Sequence, residues 1–398
     1  MAPAAAGATQ YLHGSPQYRA TPAASGRGRP TVALSARAVG EGSKPSATAG
    51  YSGVLEQERE LTNQQIAANA ASAGIVVVIP CYRVTNHVCD VIASIGDEVS
   101  AIYCIDDACP DGSGDLIERE VRDSRVRVLR HAHNQGVGGA VLTGYRQAIA
   151  DGARIIVKVD GDGQMDAALI PVFVAPILRG DADYVKGNRF FDLRHIRRMP
   201  TLRRVGNLGL SFMAKASTGY WDLFDPTNGY TAIHADVAAL LPFDSLSRRY
   251  FFETDMLFRL NTLRAAVIDL PMDAVYGDET SNLKVSRVAG EFFGKHCRNL
   301  GKRIAYNYFL RDLSIASLEL LIGTGLVLFG TLFGSWHWYL SSSTGTPASV
   351  GTVMIPTLAL LLGLQLVLAF LGYDIANVPR LALHPRLAVT HNRAAKAA

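Results

Sequence analysis

Short apolar runs, separated by segments of helix length, place the strongest constraint on the fold of this chain. The predicted strands are Ile75 to Ile79, stopped by Pro80, then a run that closes on Asp106 and Asp107, then Arg125 to Leu129, then RIIVKVD, which ends at Asp160. The predicted helices between them are Val88 to Val99, Ser113 to Val121 and a glycine-led segment that continues to about Asp151. Strands that alternate with helices predict an α/β domain with a mostly parallel sheet flanked by helices.

Two carboxylates follow the fourth run, at Asp160 and Asp162 in DGDGQMD. Because side chains alternate along a strand, an i, i+2 pair at a strand end can point into one cleft. Such a pair suits Mg²⁺ or Mn²⁺, which takes oxygen ligands and leaves positions for phosphate oxygens. Asp and Gly are also common turn residues, so an isolated DGDG is compatible with a turn or with a metal site.

The other strands also deliver polar groups to their carboxyl ends, where open α/β sheets bind ligands. The pair Asp106 and Asp107 closes the second run, and the third leads into HNQGVGG. A dinucleotide-binding fingerprint is the rival interpretation of GVGG, but its glycine spacing is incomplete. For the aspartate pair, the alternative to a ligand role is a capped turn before the helix at Ser113.

Charge and cysteine content argue against a nucleic-acid-binding protein and against a protein held by disulfides or zinc. The net charge of +4 over 398 residues is mild, and the basic residues cluster near Arg194 to Arg204 and Lys295 to Arg311. A nucleic-acid binder would show a strong basic stripe. The five cysteines form neither a CxxC pair nor a regular framework, so free thiols in a reducing compartment are expected rather than disulfides or a zinc site.

Two apolar segments near the end of the chain are long enough to span a bilayer, which requires ~20 residues. They are Leu313 to Ser335, apolar apart from Glu319, and Val353 to Tyr373. Buried core helices are the alternative. Basic residues flank both outer ends while the connector is uncharged, which predicts a hairpin with both ends cytoplasmic. Glu319 is expected to face the partner helix or another subunit, or to lie shallow enough for hydration.

The segment Val285 to Asp312 mixes aromatic and basic residues. This composition predicts one or two interfacial amphipathic helices on the membrane surface, and a helix packed on the protein itself is the alternative. The first 70 residues are rich in Ala, Gly, Ser, Thr and Pro, which predicts a disordered tail.

Seven motifs in order resemble the family 2 glycosyltransferases of the GT-A fold, in the polyprenyl-phosphate branch that includes dolichol-phosphate mannose synthases. They are VVVIPCYR, CIDDACPDGSGD, HNQGVGGAVLTGYRQA, IIVKVDGDGQMD, YVKGNRF, PTNGYTAI and FFETDML, between Ile75 and about Lys284. One departure is visible. An Asn-Glu pair often follows the first tyrosine in this family, whereas Tyr82 is followed by Arg83 and Val84.

The resemblance implies a Rossmann-like GT-A domain and a role for each motif. Asp160 and Asp162 would bind the metal and the donor diphosphate, with Gln164 as a third metal ligand. The donor nucleotide would contact residues of the first four motifs: Pro80, Tyr82, one or both of Asp106 and Asp107, Asn134, Gln135, Gly136, Gly138 and Asp160.

For catalysis and acceptor binding, the resemblance implies basic and acidic residues further along the chain. Arg189 matches an arginine that the family aims at phosphate groups. Candidates for the acceptor phosphate are Arg198, Arg203 and Arg204, although a basic loop facing anionic lipid would look the same. Asp255, with Glu253 in the same motif, is either a base or orienting group, or structural. Asp162, Asp255 and Arg189 are thus the catalytic candidates.

These inferences predict an inverting, metal-dependent transfer of one sugar from a UDP- or GDP-linked donor to a polyprenyl phosphate at the cytoplasmic membrane face. The phosphate monoester, with a second pKa of ~6, is already an anion and needs no dedicated base. Alternatives are transfer to a lipid-linked glycan or polysaccharide hydroxyl, and a catalytically silent membrane scaffold or nucleotide-sugar binder. The two spans and the intramembrane Glu319 also favour self-association in the membrane.

The predicted organisation has five parts. They are a tail at 1–70, a catalytic domain at 71–284, interfacial helices at 285–312, a transmembrane hairpin at 313–375 with spans 313–335 and 353–373, and a cytoplasmic tail at 376–398.

Overall fold

The protein is described by a computed structural model that covers residues 74–189, 201–272 and 285–389, without the side chains of 201–208 and 285–289. Its centre is a seven-stranded sheet with the order β3-β2-β1-β4-β6-β5-β7. The strands are β1 Ile75–Cys81, β2 Ala101–Asp106, β3 Val126–Arg130, β4 Ile155–Lys158, β5 Tyr184–Asn188, β6 Thr231–His234 and β7 Val267–Pro271.

Six of the seven strands run in one direction, and β6 is antiparallel to its neighbours β4 and β5. Alternate residues of β1 enter two separate cores: Val77 packs on one face of the sheet and Val78 on the other. Both faces are therefore covered, as expected for a parallel sheet with helices on each side. The predicted fold class, a mostly parallel α/β sheet followed by two apolar helices, is confirmed.

Helices connect the strands and continue beyond the sheet. They are α1 Val88–Ala93, α2 Ser113–Glu120, α3 Val137–Ala150, α4 Ile170–Leu178, α5 Thr201–Thr218, α6 Ala235–Ala239, α7 Phe252–Leu263, α8 Val285–Ala305, α9 Ile315–Thr344 and α10 Val350–Ala376. One expectation is wrong in detail, because β1 continues through Pro80 to Cys81. The pairing of β1 with β4 ends at Val78, so the missing N–H of Pro80 costs no hydrogen bond on that side.

The helices α9 and α10 form an antiparallel hairpin, and both are long and apolar enough to cross a membrane. Small residues let their backbones approach closely. A Cβ on Gly363 would lie 2.8 Å from the backbone nitrogen of Val327, and one on Gly330 would lie 2.9 Å from the Pro356 carbonyl oxygen. Glu319 lies in the second turn of α9, near the basic end of the hairpin, which fits the predicted shallow position.

A buried ion pair joins the hairpin to the catalytic domain. Asp374, near the end of α10, receives two hydrogen bonds from Arg303 of α8, at 2.6 and 2.8 Å. The Tyr308 hydroxyl and the Trp221 indole nitrogen donate to the same carboxylate, at 2.6 and 2.9 Å. Both charged side chains are only 3% exposed. The carboxylate therefore fixes α8, the loop after α5 and the hairpin to one another.

The segment after α10 also packs back on the sheet. Asp183, just before β5, accepts hydrogen bonds from the backbone N–H groups of Leu383 and His384. The His384 ring stacks on His234 at the end of β6, with centroids 4.2 Å apart. Both ends of the hairpin thus lie on the side of the catalytic domain, and residues 383–384 pack against the sheet.

Replacement of Asp374 by alanine should destabilise the protein strongly, because it leaves the guanidinium of Arg303 buried without its charge partner. We expect a loss of about 3–5 kcal/mol in the free energy of unfolding. Thermal or chemical unfolding of the full chain in nanodiscs measures this effect. The matched control is Asp244→Ala, whose side chain is 92% exposed in its pair with Arg146 and should cost less than about 1 kcal/mol. Equal losses in the two variants would contradict this interpretation.

Candidate active site

A cavity of about 450 Å³ opens at the carboxyl ends of β1, β2 and β4. Parallel pairing brings these ends together, and β1 pairs with both β2 and β4. Half of the fourteen lining residues are site residues predicted from the sequence. The lining consists of Pro80, Cys81, Tyr82, Val84, Asp107, Asn134, Gly136, Val137, Ala140, Asp160, Gly161, Asp162, Arg249 and Tyr250.

Asp160 and Asp162 both line the cavity, so the two carboxylates share one cleft as predicted. The turn interpretation also holds, because the Asp162 carboxylate accepts a hydrogen bond from the Gln164 backbone N–H at 3.0 Å, and Gly163 has φ +76°. The turn therefore directs the pair, and the two interpretations of DGDG are compatible. The side chain of Gln164 is half-buried and does not line the cavity.

Lys158 lies beneath this pair and was not singled out in the sequence. Its side chain is 1% exposed, and its Nζ lies 2.9 Å from Asp160 Oδ1 and 3.3 Å from Glu253 Oε1 of α7. Burial lowers the pKa of Lys158, but the charges of Asp160 and Glu253 outweigh burial and raise it overall. The available signal was spacing, since Lys158 precedes Asp160 by two residues and shares its side of the chain.

The glycine of the PTNGY motif packs against this ion pair. A Cβ on Gly229 would lie 2.5 Å from Lys158 Nζ and would also collide with the Asp160 carboxylate. The turn before β6 therefore approaches the ion pair only because it carries no side chain here. This contact gives a physical reason for a glycine at this place in the motif.

The two aspartates at the end of β2 have different roles. Asp107 lines the cavity and accepts hydrogen bonds from the backbone N–H groups of Gln135 and Gly136, both at 2.8 Å, and its carboxylate pairs with His131 Nδ1 at 2.7 Å. Asp106 instead accepts from the N–H groups of Cys109 and Gly114. Asp107 thus anchors the loop Asn134 to Gly136 at the cavity, while Asp106 caps the turn into α2 and does not line the cavity.

The glycines at the start of α3 admit a second loop. A Cβ on Gly136 would lie 2.6 Å from the Arg248 carbonyl oxygen, and one on Gly138 would lie 2.6 Å from that of Ser247. The segment before α7 can therefore lie against α3, where it brings Arg249 and Tyr250 to the cavity. Gly138 itself does not line the cavity, so its observed role is close packing. Arg249 and Tyr250 were missed in the sequence, because this approach joins segments more than a hundred residues apart.

Asp255 is 3% exposed and does not line the cavity. Its carboxylate accepts hydrogen bonds from the Ser247 backbone N–H at 2.9 Å and from Asn299 Nδ2 of α8 at 3.0 Å. These bonds hold the segment that carries Arg249 against α7 and α8. The arrangement suits the structural alternative for Asp255, because its carboxylate lies away from the cavity and holds a neighbouring segment in place.

Arg189, directly after β5, binds Asp225 with its Nε at 2.7 Å and its Nη2 at 3.1 Å. Burial raises the pKa of Asp225, but the hydrogen bonds and charge of Arg189 and the charge of Lys186 outweigh burial and lower it overall. The guanidinium thus has a fixed orientation. Arg198 lies outside the described residues, and so do the side chains of Arg203 and Arg204 at the start of α5.

The carboxylate oxygens of the cavity suit a divalent cation that is also bound by a second molecule. Two carboxylates face one cavity, and within the described parts of the chain no three His, Cys, Asp or Glu side chains are grouped to hold a metal ion. A hard cation with two protein carboxylates completes its shell with water or phosphate oxygens. The site therefore suits a metal bound together with a diphosphate rather than a protein-only metal cage.

Replacement of Gly136 by alanine should destabilise the protein by about 3 kcal/mol, because its φ of +86° and ψ of 167° belong to a region open essentially only to glycine and its Cβ would strike Arg248. The matched control is Gly152→Ala, where φ is +77° but no atom lies within 4 Å of the added Cβ. This control should cost about 1–2 kcal/mol. Chemical unfolding measures both changes, and equal effects would show that the packing of Arg248 on Gly136 is unimportant.

Comparison with known proteins finds a family match over the residues that line the cavity, apart from Arg249 and Tyr250. The sequence profile of the family described as "Glycosyl transferase family 2" matches residues 76–240, which include the carboxylate pair and the loop from Asn134. The chain is 28% identical over 230 residues to the undecaprenyl-phosphate mannosyltransferase of Micrococcus luteus, covering 57% of this chain and 92% of the relative.

Two further proteins are similar over the same part of the chain. The UDP-N-acetylglucosamine--dolichyl-phosphate N-acetylglucosaminyltransferase of Methanococcus voltae is 26% identical over 216 residues, covering 51% of this chain and 86% of the relative. The solved glucosyl-3-phosphoglycerate synthase of Mycobacterium tuberculosis, in complex with Mn²⁺, UDP-glucose and phosphoglyceric acid, is 20% identical with a TM-score of 0.44, over 60% of this chain and 82% of that one. Residues 76–240 of the present chain therefore form a glycosyl transferase family 2 domain.

Proposed function

We propose that this protein transfers a sugar from a nucleotide-sugar donor to a polyprenyl phosphate at a membrane surface. The observation that carries the proposal is the cavity with its carboxylate pair, within a domain fastened to two helices that can cross a bilayer. A soluble donor can enter such a cavity, while the hairpin keeps it near an acceptor that cannot leave the membrane.

The relatives support this assignment of donor and acceptor. The relative from Micrococcus luteus is named for the transfer of mannose to undecaprenyl phosphate. The relative from Methanococcus voltae is named for the transfer of N-acetylglucosamine to dolichyl phosphate. Their acceptors share the polyprenyl phosphate, while their sugars differ. The acceptor class that they share is therefore proposed for this chain, and a panel of labelled donors identifies its sugar.

The donor is proposed to lie along the cavity lining. Tyr82, 43% exposed, can stack its ring on the nucleotide base. The loop held by Asp107 presents the side chain of Asn134 to the nucleotide. Asp160 and Asp162 would hold a Mg²⁺ or Mn²⁺ ion, which when bound neutralises the departing diphosphate. Gln164 could support this ion only after its side chain rotates toward the cavity.

The acceptor is proposed to attack without a protein base. A phosphate monoester is an anion at neutral pH, so the enzyme needs to orient its oxygen and to offset charge. This agrees with Asp255, whose two oxygens already accept hydrogen bonds. The arginines proposed for the acceptor phosphate are Arg198, Arg203 and Arg204, with Arg249 added because it lines the cavity.

The proposed orientation places the catalytic domain and both ends of the hairpin at the cytoplasmic face. The supporting observations are the basic residues that flank the outer ends and the packing of both ends against the catalytic domain. The exposed aromatic residues of α9, Trp336 and Trp338, would then lie near the opposite interface.

Replacement of Asp162 by asparagine should lower sugar transfer by about a hundredfold or more, because the site loses a charged oxygen ligand. Membranes that contain the full chain are incubated with polyprenyl phosphate and a panel of labelled nucleotide sugars, and label in the lipid phase is counted. EDTA should abolish transfer, and excess Mg²⁺ or Mn²⁺ should restore it. The matched control is Asp181→Asn, which changes an exposed carboxylate outside the cavity and should retain activity.

Undiminished transfer by Asp162→Asn, or full activity in excess chelator, would contradict the proposed roles of this carboxylate and its metal. Label that enters a lipid-linked glycan, but not the polyprenyl phosphate, would favour a hydroxyl acceptor. No label in either fraction from any donor, with the protein folded and membrane-bound, would favour a scaffold.

A further inference from the structure

The cavity carboxylates are backed by a buried positive charge. Lys158, the last residue of β4, bridges Asp160 Oδ1 at 2.9 Å and Glu253 Oε1 at 3.3 Å. The side chains of Lys158 and Glu253 are 1% and 10% exposed, whereas that of Asp160 is 26% exposed. The ammonium is thus enclosed, while the carboxylate that it contacts reaches the cavity.

An enclosed ion pair of this kind is an unfavourable way to fill space. Burial of charges costs several kcal/mol, and well-packed apolar residues of similar volume are often as stable or more stable. A methionine would fill the volume of the lysine without that cost. The placement of this ammonium directly behind a cavity carboxylate points to an electrostatic role.

The charges around the site match a divalent cation. The carboxylates of Asp160, Asp162 and Glu253 and the ammonium of Lys158 together carry a formal charge of −2. Without Lys158 the same group would carry −3, and without the charge of Glu253 it would carry −1. Lys158 also holds one oxygen of Asp160, so that oxygen is engaged within the protein.

We propose that Lys158 is a positioning residue that sets the affinity of the Asp160 and Asp162 pair for a divalent cation, with Glu253 as its counter-charge. The inference deepens the proposed function and rests on its donor site. The ammonium keeps the affinity for the cation alone low, so that the cation binds firmly only when donor phosphate oxygens complete its shell.

Three variants separate charge from structure. Lys158→Met should bind Mn²⁺ about tenfold more tightly than the wild type, and Glu253→Gln about tenfold more weakly, from one unit charge within several Å of the ion. The double variant Lys158→Met with Glu253→Gln restores the formal charge of −2 and should return to within about threefold of the wild type. Mn²⁺ alone is titrated into the full chain in nanodiscs, and free Mn²⁺ is measured by electron paramagnetic resonance.

The matched control is Lys302→Met on α8, which removes the same charge from an exposed position and should leave the Mn²⁺ affinity unchanged. Unfolding temperatures of all variants are measured in parallel. If Lys158→Met does not fold, the comparison of Glu253→Gln with the double variant still tests the proposal, because the double variant should bind Mn²⁺ more tightly than Glu253→Gln.

A purely structural role for Lys158 predicts losses of stability without the expected order of Mn²⁺ affinities. That order is Lys158→Met tightest, the wild type and the double variant intermediate, and Glu253→Gln weakest. Unchanged affinity in both Glu253→Gln and the double variant, or no Mn²⁺ binding by any variant, would overturn the proposal. These outcomes are distinguishable from failure of the proposed function. Transfer to polyprenyl phosphate could persist although the Mn²⁺ affinities of the variants do not follow the expected order. Conversely, the affinities could follow that order in a protein that transfers no sugar to lipid.

Discussion

Parallel pairing of β1 with β2 on one side and with β4 on the other is the constraint on which the site depends. Because these strands run in one direction, their carboxyl ends meet at one edge, with Cys81 opposite Asp106 and Val78 opposite Lys158. The residues that follow each strand therefore share one cavity, although they lie far apart in sequence. Asp107, Asp160 and Asp162 reach the cavity in this way, and so does the tyrosine after β1.

Much of this edge could be predicted from the sequence, because strand ends are local features. Short apolar runs fixed the approximate strands, and the acidic residues after them marked the cavity. Local patterns could not separate Asp107 from Asp106, since their different partners depend on how the loop at Gln135 and the helix α2 fold back. The boundary at Pro80 was misplaced because a proline is tolerated once one neighbour of the strand has ended.

Local sequence patterns could not predict which residues of distant segments reach the cavity. Arg249 and Tyr250 reach the cavity only because Gly136 and Gly138 allow their segment to lie against α3, and Asp255 holds that segment from behind. Lys158 was hidden for another reason. A lysine at the end of an apolar strand is usually solvated, and its burial follows from Glu253, which is 95 residues away in the chain. The hairpin could be predicted from the length and hydropathy of its two segments. The buried ion pair of Asp374 with Arg303, which joins the hairpin to the catalytic domain, could not.

In the proposed site, a carboxylate pair and a nucleotide diphosphate share one cation beside a membrane. The most direct test is the hyperfine coupling between bound Mn²⁺ and phosphorus-31, measured by pulsed electron paramagnetic resonance on the full chain in nanodiscs with the nucleotide diphosphate of its donor. We expect a coupling typical of directly coordinated phosphate, present in the wild type and lost in Asp162→Asn. Absence of the coupling in the wild type, or its persistence unchanged in Asp162→Asn, would contradict the proposed site.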